Sequence, residues 1–179
     1  MKHKTTLIVR GGGDLASGVI HRLYKCGYQV LVLECAKPSA IRRRVSFGEA
    51  VYDGTSRVEG VTGRLIKDIS ECRKVWDEKE IPILVDENAD AVSELKPDAL
   101  IDAILAKKNL GTTRMMAPLT IGLGPGFTAR VDVDYVVETQ RGHNLARVIE
   151  KGTAAPNTGI PGMIAGYGKE RVIHSPAAG

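Results

Sequence analysis

Three consecutive glycines, Gly11-Gly12-Gly13, follow the apolar run Leu7-Ile8-Val9-Arg10 and lead into Asp14-Leu15-Ala16. Residues of these types, in this order, suit a phosphate. Gly11 can make a tight turn out of a strand, Gly13 lets the backbone approach an anion, and Ala16 is small enough for close packing of helix on strand. Backbone N–H groups at the start of the helix then face the anion, and the helix dipole favours its charge. About twenty residues on, a second apolar run, Leu31-Val32-Leu33, ends on Glu34, where such units place a carboxylate for a ribose hydroxyl. Asp14 opposes this, because a carboxylate is welcome to a helix start but unwelcome beside a pyrophosphate. A plain reading also stands: the glycines make only a tight strand–helix turn, and Glu34 is a solvated strand-end acid.

Further residues could complete the site. Ile121-Gly122-Leu123-Gly124-Pro125-Gly126-Phe127 follows another short apolar run. Gly124 and Gly126 there could expose amides to an anion, as in a backbone nest, or could simply turn a hairpin corner. If that run belongs to the sheet of the first glycine loop, both loops share one edge and bracket one ligand. Arg141-Gly142-His143 offers a guanidinium for bidentate phosphate or carboxylate recognition and an imidazole that can move a proton; a structural loop is the alternative. Arg42-Arg43-Arg44, after the second strand, occupies the place where a 2′-phosphate could be read. Arg43 is the candidate of the three, against a solvated charge run. Cys35, next to Glu34, sits at the mouth of the nucleotide site, as a sulfur-handling thiol or as an ordinary strand-end cysteine. Catalytic residues are not identifiable by spacing. The four histidines do not fall at metal spacing with cysteines or carboxylates, and no metal site is expected.

The elements that position these residues follow from periodicity. A helix over 15–26 places Leu15, Val19 and Leu23 on one face, and Gly27 stops it. A strand covers 29–34, and a short helix or loop follows over 37–44. Glycine-bent strands lie within 57–66, and Asp68 or Ser70 caps a helix reaching residue 79. Ile81-Pro82-Ile83-Leu84-Val85 reads as a buried strand, 89–95 as a helix, and 99–104 as a strand. Alternating strand and helix implies an α/β fold, a Rossmann-like parallel sheet with helices. Beyond residue 111 glycine and proline become frequent. Short apolar runs at 119–121, 135–137, 147–149 and 171–173 read as strands in a glycine-rich, β-rich C-terminal part. The expected division is a nucleotide- or cofactor-binding domain over 1–112 and a β-rich segment over 113–179, cut short before a further C-terminal region.

Composition narrows the function. The chain of 179 residues has a formal charge of +4 and only 4% aromatic residues, so its core is built from aliphatic side chains, as parallel sheets tend to be. Up to Gly111 there are 18 basic and 16 acidic residues, and beyond it 7 and 5, which leaves +2 on each side. Neither half is a basic arm with interleaved aromatics, and nucleic acid is not an expected partner. No apolar stretch approaches the ~20 residues of a membrane span, and no membrane association is expected. Three scattered cysteines show no disulfide framework, which fits a reducing compartment and a cytoplasmic location. An exposed edge of a parallel sheet leaves room for a homo-oligomer.

Several long motifs together carry a resemblance. They are Gly11-Gly12-Gly13-Asp14-Leu15-Ala16-Ser17-Gly18, Ala36-Lys37-Pro38 with Ile41-Arg42-Arg43, Ala106-Lys107-Lys108-Asn109-Leu110-Gly111-Thr112, the second glycine cluster through Ala129, Arg141-Gly142-His143, and Pro156-Asn157-Thr158-Gly159-Ile160-Pro161-Gly162. Over nearly its whole length the chain resembles the selenium-dependent molybdenum hydroxylase system proteins of the YqeB type. Its Rossmann-like part is similar to factors that load sulfurated molybdenum cofactor into xanthine dehydrogenase-type enzymes. The resemblance implies a bacterial accessory factor for maturation of a molybdenum hydroxylase, with the apo-enzyme as partner. It also implies a phosphate-bearing small-molecule ligand, either molybdenum cofactor or an NAD(P)-like nucleotide. Arg130 departs from the pattern, standing where the second loop is expected to continue with glycine. Two further readings remain open on the residues: an NAD(P)-dependent oxidoreductase, and a docking module with a vestigial nucleotide site.

Overall fold

A computed structural model describes residues 4–159, 163–173 and Pro176. The first half of the chain folds as strand–helix repeats: β1 (Thr6–Arg10), α1 (Asp14–Lys25), β2 (Gln29–Glu34), α2 (Ala50–Asp53), β3 (Thr55–Val58), β4 (Val61–Ile66), α3 (Cys72–Asp77), β5 (Ile81–Val85), α4 (Ala91–Leu95) and β6 (Ala99–Asp102). Short strands follow: β7 (Thr120–Leu123), β8 (Thr128–Ala129), β9 (Tyr135–Val137), β10 (Val148–Ile149) and β11 (Gly152–Thr153). Among the described residues nine strands form one sheet in the order β10-β9-β7-β6-β1-β2-β5-β4-β3, and β11 pairs with β8 apart from it. From β9 to β4 the strands run parallel, with β10 and β3 antiparallel at the two edges. This is the expected Rossmann-like α/β architecture. The sheet continues past residue 112, because β7 and β9 add onto β6.

The residue pattern of the strands explains the layers. Leu7, Val9, Val30 and Val32 point to one face, where they pack with Ala16 and Ile20 of α1 and Phe47. Ile8, Leu31 and Leu33, one residue out of phase, point to the other face, against Cys72 and Val75 of α3 and Val92 of α4. Strands buried on both sides need apolar residues at every position, which is why these runs do not alternate with polar residues. A smaller cluster of Phe127, Ala129, Val133, Val136 and Ala154 holds the C-terminal strands together.

Three expectations change. Helix α1 buries Ala16, Ser17 and Ile20, whereas Leu15 is 55% exposed. Val19 and Leu23 pack half-buried against the core as the spacing suggested, but Leu15 does not, and Ser17 serves as a polar tie inside the core. Its hydroxyl donates to the Gly12 carbonyl and accepts from the Phe47 amide. The strand expected to run to residue 104 stops at Asp102, whose carboxylate accepts the Ile104 N–H. The run 171–173 is not a strand: Lys169–Arg171 is a turn of 3-10 helix, and Val172 and Ile173 are irregular. The helix capped by Asp68 begins as a 3-10 turn with a full capping box to Glu71. Residues 37–42 form a loop before the 3-10 turn Arg43–Val45.

Candidate functional site

Strands β2 and β6 flank β1 on opposite sides, so the chain leaves the carboxyl end of β1 in one direction and returns on the other. Open α/β sheets bind ligands at such a reversal. A cavity of about 600 Å³ lies there. Gly11 and Gly13 after β1, Glu34 and Cys35 after β2, and Ala103–Leu105 after β6 contribute to its walls, together with Asp14, Leu15 and Ala16 of α1.

The three glycines have separate reasons to be glycine. Gly11 has φ +91°, and a Cβ there would come within 2.9 Å of the Ile104 Cα. Gly12 is pinned from both sides. Its N–H donates to Glu34 Oε2 at 2.7 Å, while its carbonyl accepts from the Ser17 and Ser46 hydroxyls and the Gly48 amide. A Cβ on Gly12 would meet the Gly48 nitrogen at 2.9 Å. Gly13 caps α1 with ordinary extended backbone, and a Cβ there would meet nothing within 4 Å. Neither conformation nor packing demands glycine at this position, yet it faces the cavity. That leaves room for a ligand against the backbone.

Glu34 does not stand free at the strand end. Oε2 holds Gly12, and Oε1 accepts the Cys35 N–H at 2.8 Å. A carboxylate has about four lone-pair sites, so it can still accept from a ligand hydroxyl while fastening the loop. Asp14 accepts from Arg42, Nε to Oδ2 at 2.6 Å. Of the three consecutive arginines, Arg42 and not Arg43 therefore lines this cavity. Arg43 turns away to an ion pair with Glu49 and lies over the Tyr52 ring. A run of three arginines in a loop has no period that would tell which one faces the site.

The second glycine loop does lie at the same sheet edge, since β7 runs parallel to β6. Gly124 and Gly126 do not line the first cavity; both have positive φ and are packed, with Cβ positions 2.6 Å from Thr139 Oγ1 and 2.7 Å from the Lys108 Cα. Pro125 between them lines a second cavity of about 450 Å³. The two cavities share Leu15, Leu105 and Arg141 as their common wall. His143 is exposed and lines neither.

Cys35 lines the first cavity. Burial pushes its thiol above the usual cysteine range, and the carboxylates of Glu34 and Glu87 add to this, against a bond with the Lys37 backbone. The resting group is a thiol and a weak nucleophile.

Two buried polar residues outside the candidate set organise the site. Arg10, 2% exposed, donates to the Thr112 hydroxyl at 2.6 Å and to the Glu87 carbonyl at 2.8 Å. An apolar residue would fit a sheet better than Arg10, and that oddity was the signal. Glu138 is buried just after β9 and accepts the Gln140 and Ala155 amides at 2.7 and 2.8 Å. It thereby holds together two walls of the second cavity. Burial alone would raise its carboxyl, but the amides of Ala155, Gln140 and Thr139 outweigh that and hold it below the usual range.

Comparison with known proteins gives one informative match. The chain is 52% identical, over 173 residues, to "Uncharacterized protein YqeB" of Escherichia coli (strain K12). The match takes in 97% of this chain, which spans about a third (32%) of that relative's length. No family model and no solved structure matches. Among the described residues no helix is long and apolar enough to cross a membrane.

Proposed function

We propose that this chain is the cofactor-handling part of an accessory factor for a selenium-dependent molybdenum hydroxylase. It binds a phosphate-bearing ligand, molybdenum cofactor or a nucleotide, and assists its modification or its insertion into the apo-enzyme. The observation that carries this reading is the cavity at the carboxyl ends of β1 and β6. There Gly13 is open to the ligand without any structural need for glycine. The YqeB-like sequence directs the reading to molybdenum hydroxylase maturation, through the family resemblance of its motifs.

In this reading Gly11, Gly13 and Ala16 form the wall against which the ligand lies. Gly12 and Glu34 hold that wall in shape, and Glu34 also accepts a ribose hydroxyl or a ring N–H. Asp14 holds Arg42 at the rim. Arg141 closes the far side. The packed glycines Gly124 and Gly126 support the loop that carries Pro125. The partner is the hydroxylase apo-enzyme, and the setting is the cytoplasm. Residues 1–112 supply most of the first cavity, while the segment from 113 supplies Arg141.

A second reading, an NAD(P)-dependent oxidoreductase, is favoured by Glu34 at the end of β2. It gains nothing from the imidazole, since His143 lines neither space. Calorimetric titration with NAD⁺, NADP⁺, ATP, CTP and molybdenum cofactor separates the two. Binding of molybdenum cofactor or CTP supports the maturation factor. Binding of NAD⁺ or NADP⁺ alone moves the chain to redox enzymology.

A further inference from the structure

The charges around the two cavities are distributed unevenly. The first is lined by the carboxylates of Asp14 and Glu34 as well as by Arg42 and the shared Arg141, and Arg42 is already held by Asp14. At the second, Lys107 and Arg141 are present and no lining residue among those described is acidic. Neither cation has an ion-pair partner among the described residues. Thr139, Gln140 and Asn157 add hydroxyl and amide donors to the same walls. Glu138, the carboxylate behind these walls, accepts the Gln140 and Ala155 amides and does not itself line the cavity. Leu105, on the wall shared with the first cavity, and Lys107, in the second alone, are two of the nine non-glycine residues with left-handed backbone among those described, φ +60° and +63°. Non-glycine residues held in that region concentrate at sites where geometry serves a ligand.

From this distribution we infer that the phosphoryl end of the ligand sits in the second cavity, on Lys107 and Arg141, and the uncharged end lies against Glu34 and the glycine loop. This rests on the reading that the chain binds a phosphate-bearing ligand. It reverses the usual polarity of such folds, in which the phosphate lies on the first glycine loop. A planar guanidinium fork and a compact ammonium on one wall suit a phosphate or diphosphate. Leu15 and Leu105, between the two spaces, offer apolar surface for the flat part that joins the two ends.

The test is titration of the full chain with inorganic pyrophosphate. Lys107→Gln and Arg141→Gln are the site variants, Gly13→Asp reports on the glycine loop, and Lys74→Gln on α3 controls for net charge. Thermal unfolding checks that each variant is folded. The expected result is that Lys107→Gln and Arg141→Gln each weaken pyrophosphate binding roughly tenfold or more, as loss of a charge-assisted contact implies. Lys74→Gln and Gly13→Asp should change it less than about threefold. Loss in Gly13→Asp with both site variants unchanged overturns the assignment and leaves the ligand-binding reading intact. Absence of any pyrophosphate binding by the wild-type chain also overturns it, and the reading is then decided separately by the nucleotide and molybdenum-cofactor titration.

Discussion

Arg10 and Asp102 meet at the carboxyl ends of β1 and β6, 3.6 Å apart and almost fully buried, with the Thr112 hydroxyl between them. Thr112 accepts from Arg10 and donates to Asp102 at 2.6 Å, and Asn109 clasps the Thr112 backbone through both its N–H and its carbonyl. This network ties the return loop after β6 to the strand that carries the first glycine loop. Arg10 lines a neighbouring cavity that shares Gly11, Glu34, Cys35 and Ile104 with the first.

Removing one partner leaves the other charge buried and unpaired. Arg10→Met or Asp102→Asn should therefore destabilise the chain by roughly 3–5 kcal/mol, read as a drop in urea midpoint. Arg10→Met with Asp102→Leu should recover much of that loss, because an apolar pair of similar volume needs no desolvation. A double variant no better than the singles would show that Thr112 and the carbonyls, and not the charge pair, carry the effect.

The glycines of the first loop should separate stability from binding. Gly11→Ala places a Cβ in left-handed backbone against Ile104, and Gly12→Ala places one against Gly48. Each should cost about 2 kcal/mol or more. Gly13→Ser meets open space and supplies a good helix cap, so its thermal midpoint should stay within about 2 °C of wild type. Its affinity for the ligand found by titration should fall. Equal destabilisation at all three positions would remove the argument that Gly13 is kept open for a ligand.

Glu138 gives the fold a dependence on acid. Its folded-state carboxyl lies below the usual range, so it contributes stability that is complete above the ordinary glutamate value of about 4.3. That contribution disappears as pH falls through the depressed value. Glu138→Gln keeps one acceptor but turns an N–H toward an amide donor, and should cost about 1–3 kcal/mol at pH 7. Between pH 5 and pH 3 the wild type should lose more stability than the variant. Parallel pH profiles for the two would mean that another carboxylate governs acid unfolding.

Cys35 should be slow to alkylate. With its thiol held above the usual range by burial and nearby carboxylates, the iodoacetamide rate at pH 7.5 should be low and climb steeply above pH 9. Mass-spectrometric mapping reads this directly. A fast rate, flat from pH 6 upward, would reveal a thiolate and revive a sulfur-handling role.

The fold was largely legible in the sequence. Strands β2 and β5 fall where unbroken aliphatic runs placed them, Gly27 ends α1, and Asp68 caps its helix. What was not legible depends on tertiary approach. The segment around Ser46-Phe47-Gly48 docks on Gly12, and nothing local announces that contact. Leu15 looks like core by spacing, but the sheet takes the neighbouring face, and Leu15 becomes a cavity wall. Arg42 and Arg43 differ only in where an irregular loop aims them. Glu138 could have been found, since a carboxylate directly after an apolar strand must find donors if it is buried.

In the proposed function, the cavity at the ends of β1 and β6 takes a phosphate-bearing ligand. Isothermal titration of the purified chain with molybdenum cofactor, CTP, ATP, NAD⁺ and NADP⁺, beside Gly13→Asp, tests it most directly. The expected result is saturable binding of molybdenum cofactor or of one nucleotide, weakened at least tenfold in Gly13→Asp while that variant stays folded. Silence across the whole panel would contradict the claim and leave a docking module whose glycine loop has no ligand.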